Sequence, residues 1–255
     1  TGFTTSSLKA IFRGSLGSDL PLGATLFEVL KAQGYQIVVV SGQDESFGNI
    51  AKETGMVDAA DVFFDAASSK NDRVFSSAAA GSLTLSNDRV LKQFSAVAAQ
   101  LDWTRPIFYY INLQAAHFPY YHDRMPLTLI DQVLERKNIS ASKRDKLKAT
   151  YFNAVAYSDW ATGKIVDEIK KRGVYDQSLI VVSGDHGESL FDDGVLGHGI
   201  RITDEQTRTL LVANRKLSAL EGLLGQQDLA KGLLQGMGVK LSPQSPAEHT
   251  PVIQM

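Results

Sequence analysis

Apolar side chains recur along this chain in two rhythms. Tyr35 to Val40, Val62 to Asp65, Pro106 to Leu113, Ser178 to Val182 and Arg208 to Val212 are short runs rich in β-branched and aromatic residues, the length of buried strands. Between them apolar positions fall at helical spacing. Leu8, Ile11 and Phe12 mark one helix, and Leu26 to Gly34 a second that ends on its glycine. Residues 48 to 56 and Leu91 to Leu101 follow. A long helix over Lys146 to Arg172 is expected to face the core with Tyr151, Val155, Trp160, Ile165 and Ile169. Leu217 to Met237 reads as a helix interrupted by Gly225. Strand and helix alternate throughout, so the pattern predicts an α/β fold: a mostly parallel sheet covered by helices on both faces. Residues 66 to 87 read as a surface excursion and Leu127 to Arg144 as an insertion with two short helices. The Pro-rich stretch from Ser242 to Met255 reads as an irregular tail, leaving 1–241 as one domain.

Composition narrows the partners. A chain of 255 residues with 44% apolar content can bury one sizeable core. The net charge of -2, with no block of like charge, argues against nucleic acid, because neutralising phosphates needs a basic face. With no cysteine there are no disulfides, thiolate metal sites or cysteine nucleophiles. No apolar run is long enough to span a membrane, and no signal peptide is present. The chain opens on Thr1 and not on methionine, so we expect a piece cut from a longer protein.

The chemistry gathers at strand ends. Ser183-Gly184-Asp185-His186-Gly187-Glu188-Ser189-Leu190 follows the apolar run Ser178 to Val182, and Leu196-Gly197-His198-Gly199 comes just after. Ligands of open α/β sheets bind at the C-terminal ends of strands, where Asp185 and His186 offer one oxygen and one nitrogen to a divalent ion such as zinc or manganese. His198 sits between glycines that let the backbone approach a ligand closely. His117 again leaves a strand at its C-terminal end, and Asp44 stands on another such loop as a solvated acid that could help the site. His122 reads as a surface residue or as support for the site, and His249 as unconnected to it. At the start of the chain the hydroxyls Thr4 to Ser7 either cap a helix or include a nucleophile at its positive end, where backbone N–H groups would hold a phosphoryl group. One or two divalent ions would lower the pKa of a bound hydroxyl and offset charge on a transferring phosphoryl or sulfuryl group.

Asp185-His186-Gly187-Glu188-Ser189-Leu190 with Leu196-Gly197-His198-Gly199, together with His117-Phe118-Pro119, resembles the alkaline-phosphatase and sulfatase superfamily. The likeness is greatest to its membrane-anchored branch of phosphoethanolamine and phosphoglycerol transferases of the bacterial envelope. It spans almost the whole chain and extends to the helix from Gln227-Asp228-Leu229 to Gly236. The resemblance implies an alkaline-phosphatase-like sheet and Thr4 as the metal-activated nucleophile, with Ser7 three residues on and Thr5 the next candidate. Asp185 and His186 would ligate the principal metal, zinc or manganese, and His117 and His198 would bind substrate phosphate or a second metal. The substrate would be a phospholipid or envelope glycan, and the full-length protein would be anchored in the inner membrane with this domain in the periplasm.

The run Thr4-Thr5-Ser6-Ser7-Leu8 lacks the Cys-x-Pro-Ser-Arg pattern from which sulfatases make formylglycine, so phosphoryl transfer from a phosphodiester fits better than sulfate ester hydrolysis. A degenerate, non-catalytic member that binds lipid or protein and senses is the reading from another class. The family's first metal carboxylate comes from a strand tens of residues before the nucleophile, and only three residues precede Thr4 here. The N-terminal strand is thus expected to be missing from this fragment, which should bind metal weakly and turn over little substrate. The absence of cysteine also separates it from the many phosphoethanolamine transferases that carry disulfides.

Overall fold

The computed structural model describes residues 1–14, 24–74, 84–222 and 225–239, so the expected tail at 242–255 and part of the 66–87 excursion lie outside the described residues. In chain order the regular elements are α1 (Thr4–Arg13), α2 (Leu26–Ala32), β1 (Gln36–Ser41), α3 (Ile50–Glu53), α4 (Met56–Ala59), β2 (Val62–Phe64) and α5 (Asn87–Ala98). Then come β3 (Ile107–Asn112), α6 (Arg144–Lys171), β4 (Val181–Ser183), β5 (Ser189–Leu190), β6 (Leu196–Gly197), α7 (Asp204–Thr207), β7 (Leu211–Ala213) and α8 (Leu229–Gly236). The chain divides into two compact units: Thr1–Tyr35, Phe47–Ala59 and Ser178–Met255 form the first, and Gln36–Ser46 and Ala60–Gln177 the second.

The second unit holds a parallel sheet in the order β2-β1-β3, with Val38 opposite Val62 on one side and Tyr109 on the other. Parallel pairing needs crossovers, and the sequence supplies them as helices. The central strand β1 is buried along its whole length, which is why Ile37 to Val40 within it are apolar without alternation. Val38, Val40, Phe64, Leu85, Val90 and Val97 form one cluster that joins the sheet to α5. This parallel sheet flanked by helices is the class that the hydrophobic pattern predicts.

The inward face of the long helix α6 agrees with the expected one at Ile165, with Tyr151 and Ile169 half-buried, and departs from it at Val155 and Trp160. Leu147, Thr150, Asn153, Ala154, Tyr157, Ala161 and Ile165 are buried, whereas Val155 and Trp160 are exposed. The inward stripe keeps three- and four-residue spacing but mixes Leu147, Tyr157 and Ile165 with small and polar residues, which hydrophobicity alone passes over. Asn153 shows why they are there: its Oδ1 accepts from the backbone N–H groups of Thr128 and Leu129 at 2.8 and 3.0 Å, and its Nδ2 donates to the Pro126 carbonyl. Those bonds dock the 127–144 insertion, whose short helical turns are 3-10.

In the first unit α1 buries Leu8, Ile11 and Phe12, and the Phe12 and Phe27 rings meet at 4.8 Å. Such an aromatic pair adds about 1 kcal/mol beyond its buried area. Thr25 starts α2 with a reciprocal cap to Glu28, stabilising by about 1 kcal/mol. The run ending at Val182 does form a strand, β4, but it pairs antiparallel with β7, and Val182 and Ser183 are exposed, against the expectation of a buried parallel strand. Between Ser183 and Leu211 the chain has only a hairpin and the single turn α7, with no crossover helix to bring it back in parallel. The helix expected over Leu217 to Met237 is likewise reduced to α8 preceded by 3-10 turns.

His122 is buried in the second unit and not at the surface. Its Nδ1 accepts the Arg124 N–H at 3.2 Å, while its Nε2 finds no hydrogen-bond partner among the described residues. Loss of hydration lowers its pKa to about 4, against the pull of Asp123 and Asp88. On unfolding the ring regains its ordinary value of 6.5, so the unfolded chain takes up a proton first. The resulting penalty is absent above pH 6.5 and grows as pH falls, reaching about 3 kcal/mol near pH 4. His122→Gln should therefore flatten the acid-side fall of the unfolding free energy between pH 7 and 4, measured by urea denaturation. An unchanged slope would contradict this.

Candidate active site

Helix α1 begins without a side-chain cap. Phe3 is extended (φ -146°, ψ 131°) and precedes it, so the hydroxyl residues lie inside the first turn and do not cap it as one sequence reading had it. The Ser7 N–H makes the return bond to the Phe3 carbonyl at 2.9 Å. The N–H groups before it have no intrahelical acceptor, and with the helix dipole they present positive potential where an anion would bind. Thr4 is buried at this end, with its Oγ1 3.0 Å from His186 Nε2.

The geometry of His186 fixes the sense of that contact. Its Nδ1 donates to the Gly187 carbonyl at 2.8 Å, so Nε2 carries the lone pair and the Thr4 hydroxyl donates to it. Asp185 Oδ1 accepts the His186 N–H at 3.1 Å, and its Oδ2 lies 3.4 Å from the same Nε2. A hydroxyl, an imidazole lone pair and a carboxylate therefore converge at one point. Glycine is needed at 187 because a Cβ there would strike the carbonyls of Glu205, within α7, and of Arg208, just after it. The Asp185 carbonyl accepts from the Gln226 side-chain amide, and Gln226 Oε1 in turn accepts the Thr1 hydroxyl at 3.1 Å. A turn late in the chain thereby ties the Asp185 loop to the start of α1.

A two-residue ladder delivers the other half of the site. Ser189 pairs with Gly197 and Leu190 with Leu196, so the next positions outward are Glu188 and His198. Their side chains meet, His198 Nδ1 donating to Glu188 Oε2 at 2.6 Å. The turn is closed by the Ser189 hydroxyl, which bonds Asp193, and by Gly194 at φ 83°. The His198 and His186 rings lie 3.9 Å apart. Burial opposes charge on His198, but the hydrogen bond and charge of Glu188, with Asp185 beyond, outweigh it and raise the imidazole above its ordinary value.

Thr4, Asp185, His186 and His198 are thus brought together in the first unit. His117 lies in the second unit, on the loop after β3, with its Nδ1 2.9 Å from the Phe118 carbonyl. Asp44 pairs with Arg73 at 3.5 Å, a structural use. Glu188 and Gln226 carry no site role in the sequence pattern alone. Glu188 stood inside the motif, but its use depends on hairpin register, which the acidic loop after it concealed. His186, Glu188 and His198 offer nitrogen and oxygen atoms within 4.8 Å of one another, a donor set that suits a divalent cation such as zinc. Glu188→Ala should lower zinc affinity about 10- to 100-fold by calorimetric titration while leaving far-UV circular dichroism unchanged. Unchanged affinity would remove Glu188 from the site.

A sulfatase family model matches residues 4–239. The chain belongs to the sulfatase family. The family's reactions are transfers of phosphoryl and sulfuryl groups. Over 87 residues this sulfatase-family chain is 28% identical to phosphoethanolamine transferase EptA of Escherichia coli K12, a stretch covering 33% of this chain and 16% of that protein. Among solved structures, the C-terminal periplasmic domain of phosphoethanolamine transferase EptC from Campylobacter jejuni superposes with a TM-score of 0.71 at 21% identity, covering 94% of this chain and 76% of that one. The C-terminal periplasmic domain of EptC from Escherichia coli, in complex with zinc, gives 0.69 at 15% identity, covering 92% and 68%. At these identities the likeness is one of fold. Among the described residues no helix is long and apolar enough to cross a membrane.

Proposed function

We propose that this sulfatase-family domain transfers a phosphoryl group, of the phosphoethanolamine or phosphoglycerol type, from a phospholipid to an envelope acceptor through a phospho-threonine at Thr4. The observation that carries the reading is the Thr4 hydroxyl at the positive end of α1, 3.0 Å from His186 Nε2. Asp185 and His186 would hold a divalent cation, zinc or manganese, that lowers the pKa of the Thr4 hydroxyl and offsets charge on the phosphoryl group. The zinc complex of the EptC domain supports that choice of cofactor. The periplasmic domains among the structural relatives support a place in the periplasm for this one, on a membrane-anchored protein.

The remaining chemistry belongs to side chains already placed. First-turn N–H groups of α1 hold the non-bridging phosphoryl oxygens. As the bond from Thr4 Oγ1 to phosphorus forms, its proton passing to solvent, and the bond to the leaving alcohol breaks, His198, when it holds no ion, would pass a proton to the departing oxygen, oriented by its hydrogen bond to Glu188. In the second half the neutral His198 takes the proton of the acceptor hydroxyl, which attacks phosphorus and frees Thr4.

Covalent labelling tests this without relying on sustained turnover. Incubated with zinc and bis(p-nitrophenyl) phosphate, the chain should acquire one phosphoryl adduct that peptide mass spectrometry locates at Thr4, and Thr4→Ala should lose it. An adduct that maps to Thr5, or that persists in the variant, would contradict the assignment.

A further inference from the structure

Gln206 is completely buried on the single turn α7, and it holds the chain just beyond both imidazoles of the site. Its backbone carbonyl accepts the N–H of Gly187, the residue after His186, at 3.1 Å. Its side-chain Oε1 accepts the N–H groups of Ile200 and Arg201, on the loop that leaves His198, at 3.1 and 3.0 Å. Ile200 and Arg201 lie outside helix and strand, so those N–H groups have no ladder to join, and the glutamine oxygen supplies what secondary structure does not. Two donors on one oxygen also fix the sense of the amide. Its Nε2 is turned away and is buried without a partner among the described residues. The turn that carries Gln206 is itself pinned: the Thr203 carbonyl accepts the N–H groups of Gln206 and Thr207 at 3.2 and 3.0 Å and the Thr207 hydroxyl at 2.7 Å. Gly2, just ahead of Thr4, runs so close that a Cβ there would come within 3.2 Å of the Gln206 carbonyl oxygen. All these residues belong to the first unit.

We propose that Gln206 is a positioning residue: through these three bonds it sets the 3.9 Å separation of the His186 and His198 rings, and with it the spacing of the donor atoms they offer to one cation. The inference rests on the reading of His186, Glu188 and His198 as a donor set for a divalent ion. Glu188 turns the His198 ring, but the two flank one hairpin, and that hairpin joins His186 through Gly187, the residue type with the widest backbone freedom. A hairpin hinged there could tilt away from His186 with its own pairing intact. Gln206 removes that freedom, because it holds Gly187 at the hinge and the Ile200-Arg201 backbone at the far end. Arg201 adds a tie from its guanidinium to the Asp193 carbonyl at 2.9 Å, but that bond is exposed and stays with the hairpin's own turn, so it does not reach His186. Of the bonds to Gln206, the two on its side chain depend on this residue being glutamine.

Two substitutions separate the bonds of this side chain from its bulk. Gln206→Met keeps length and shape without an acceptor, whereas Gln206→Glu keeps an oxygen facing both N–H groups and gives up only the unpartnered Nε2. In calorimetric titration Gln206→Met should bind zinc about 10- to 100-fold more weakly, as when a ligand-orienting partner is lost, and Gln206→Glu should bind it as the unaltered chain does. Amide hydrogen exchange at Ile200 and Arg201 should quicken up to about tenfold in Gln206→Met, the worth of a lost hydrogen bond, and stay slow in Gln206→Glu, with the amides of α1 unchanged in both. Equal zinc affinity or equal exchange in all three chains would overturn the inference, as would a Gln206→Glu chain as weak as Gln206→Met. Loss of the folded far-UV circular dichroism signal in Gln206→Met would also overturn it, since Gln206 would then serve the fold at large. The exchange rates need no metal: an unaltered chain that takes up no zinc would end the cation reading, and exchange alone would decide whether Gln206 ties the two loops. Neither measurement uses the Thr4 adduct, so a missing adduct would end the phosphoryl reading without touching this one.

Discussion

The hydrogen bond from Thr4 Oγ1 to His186 Nε2 joins residues 182 positions apart, and the rest of the site is arranged around it. Its own net contribution to stability is about 1 kcal/mol, too little to hold two segments in place. The position of each partner is set elsewhere. Burial of Leu8, Ile11 and Phe12 anchors α1, and the Gly187 carbonyl fixes the imidazole tautomer so that the lone pair points at the hydroxyl. The contact is a consequence of packing on both sides, which is what a preorganised site requires.

The second constraint is register. Glu188 and His198 are neighbours because a two-residue ladder between Ser189–Leu190 and Leu196–Gly197 puts them in the next opposing positions. A one-residue slip would send both side chains to the other face. The closed turn around Asp193 and Gly194 guards against that slip, so two residues with no chemical role decide whether His198 keeps its carboxylate. Buried acid is tolerated in the second unit for a comparable structural reason. Burial raises the pKa of the fully buried Glu45, against hydrogen bonds from Ser41, Asn112 and Tyr110 that favour the carboxylate and join the ends of β1 and β3.

Much of the fold was legible because its elements bury continuous or periodic apolar surface: β1, β2, β3, α1 and α5 appear where the pattern puts them. Two failures have separate causes. The inward stripe of α6 is rich in Thr150, Asn153, Ala154 and Ala161, which carry packing or hydrogen bonds and little hydrophobicity. The pairing of β4 with β7 depends on what the intervening chain does, and an apolar run says nothing of its partner's direction. Of the candidate site, Thr4, Asp185, His186 and His198, which the structure brings together, stand out in the sequence as residue types at element ends. Glu188 and Gln226 do not, since their roles arise from hairpin register and from a turn some forty residues further along the chain.

The central claim is that Thr4, Asp185 and His186 share one cation position at the start of α1. Anomalous diffraction at the zinc edge from crystals grown with stoichiometric zinc tests it most directly. The account predicts a peak within about 2.0–2.2 Å of His186 Nε2 that is also in contact with the Thr4 hydroxyl and the Asp185 carboxylate. Zinc bound only at a position remote from Thr4, with the Thr4 hydroxyl turned away from His186, would contradict it.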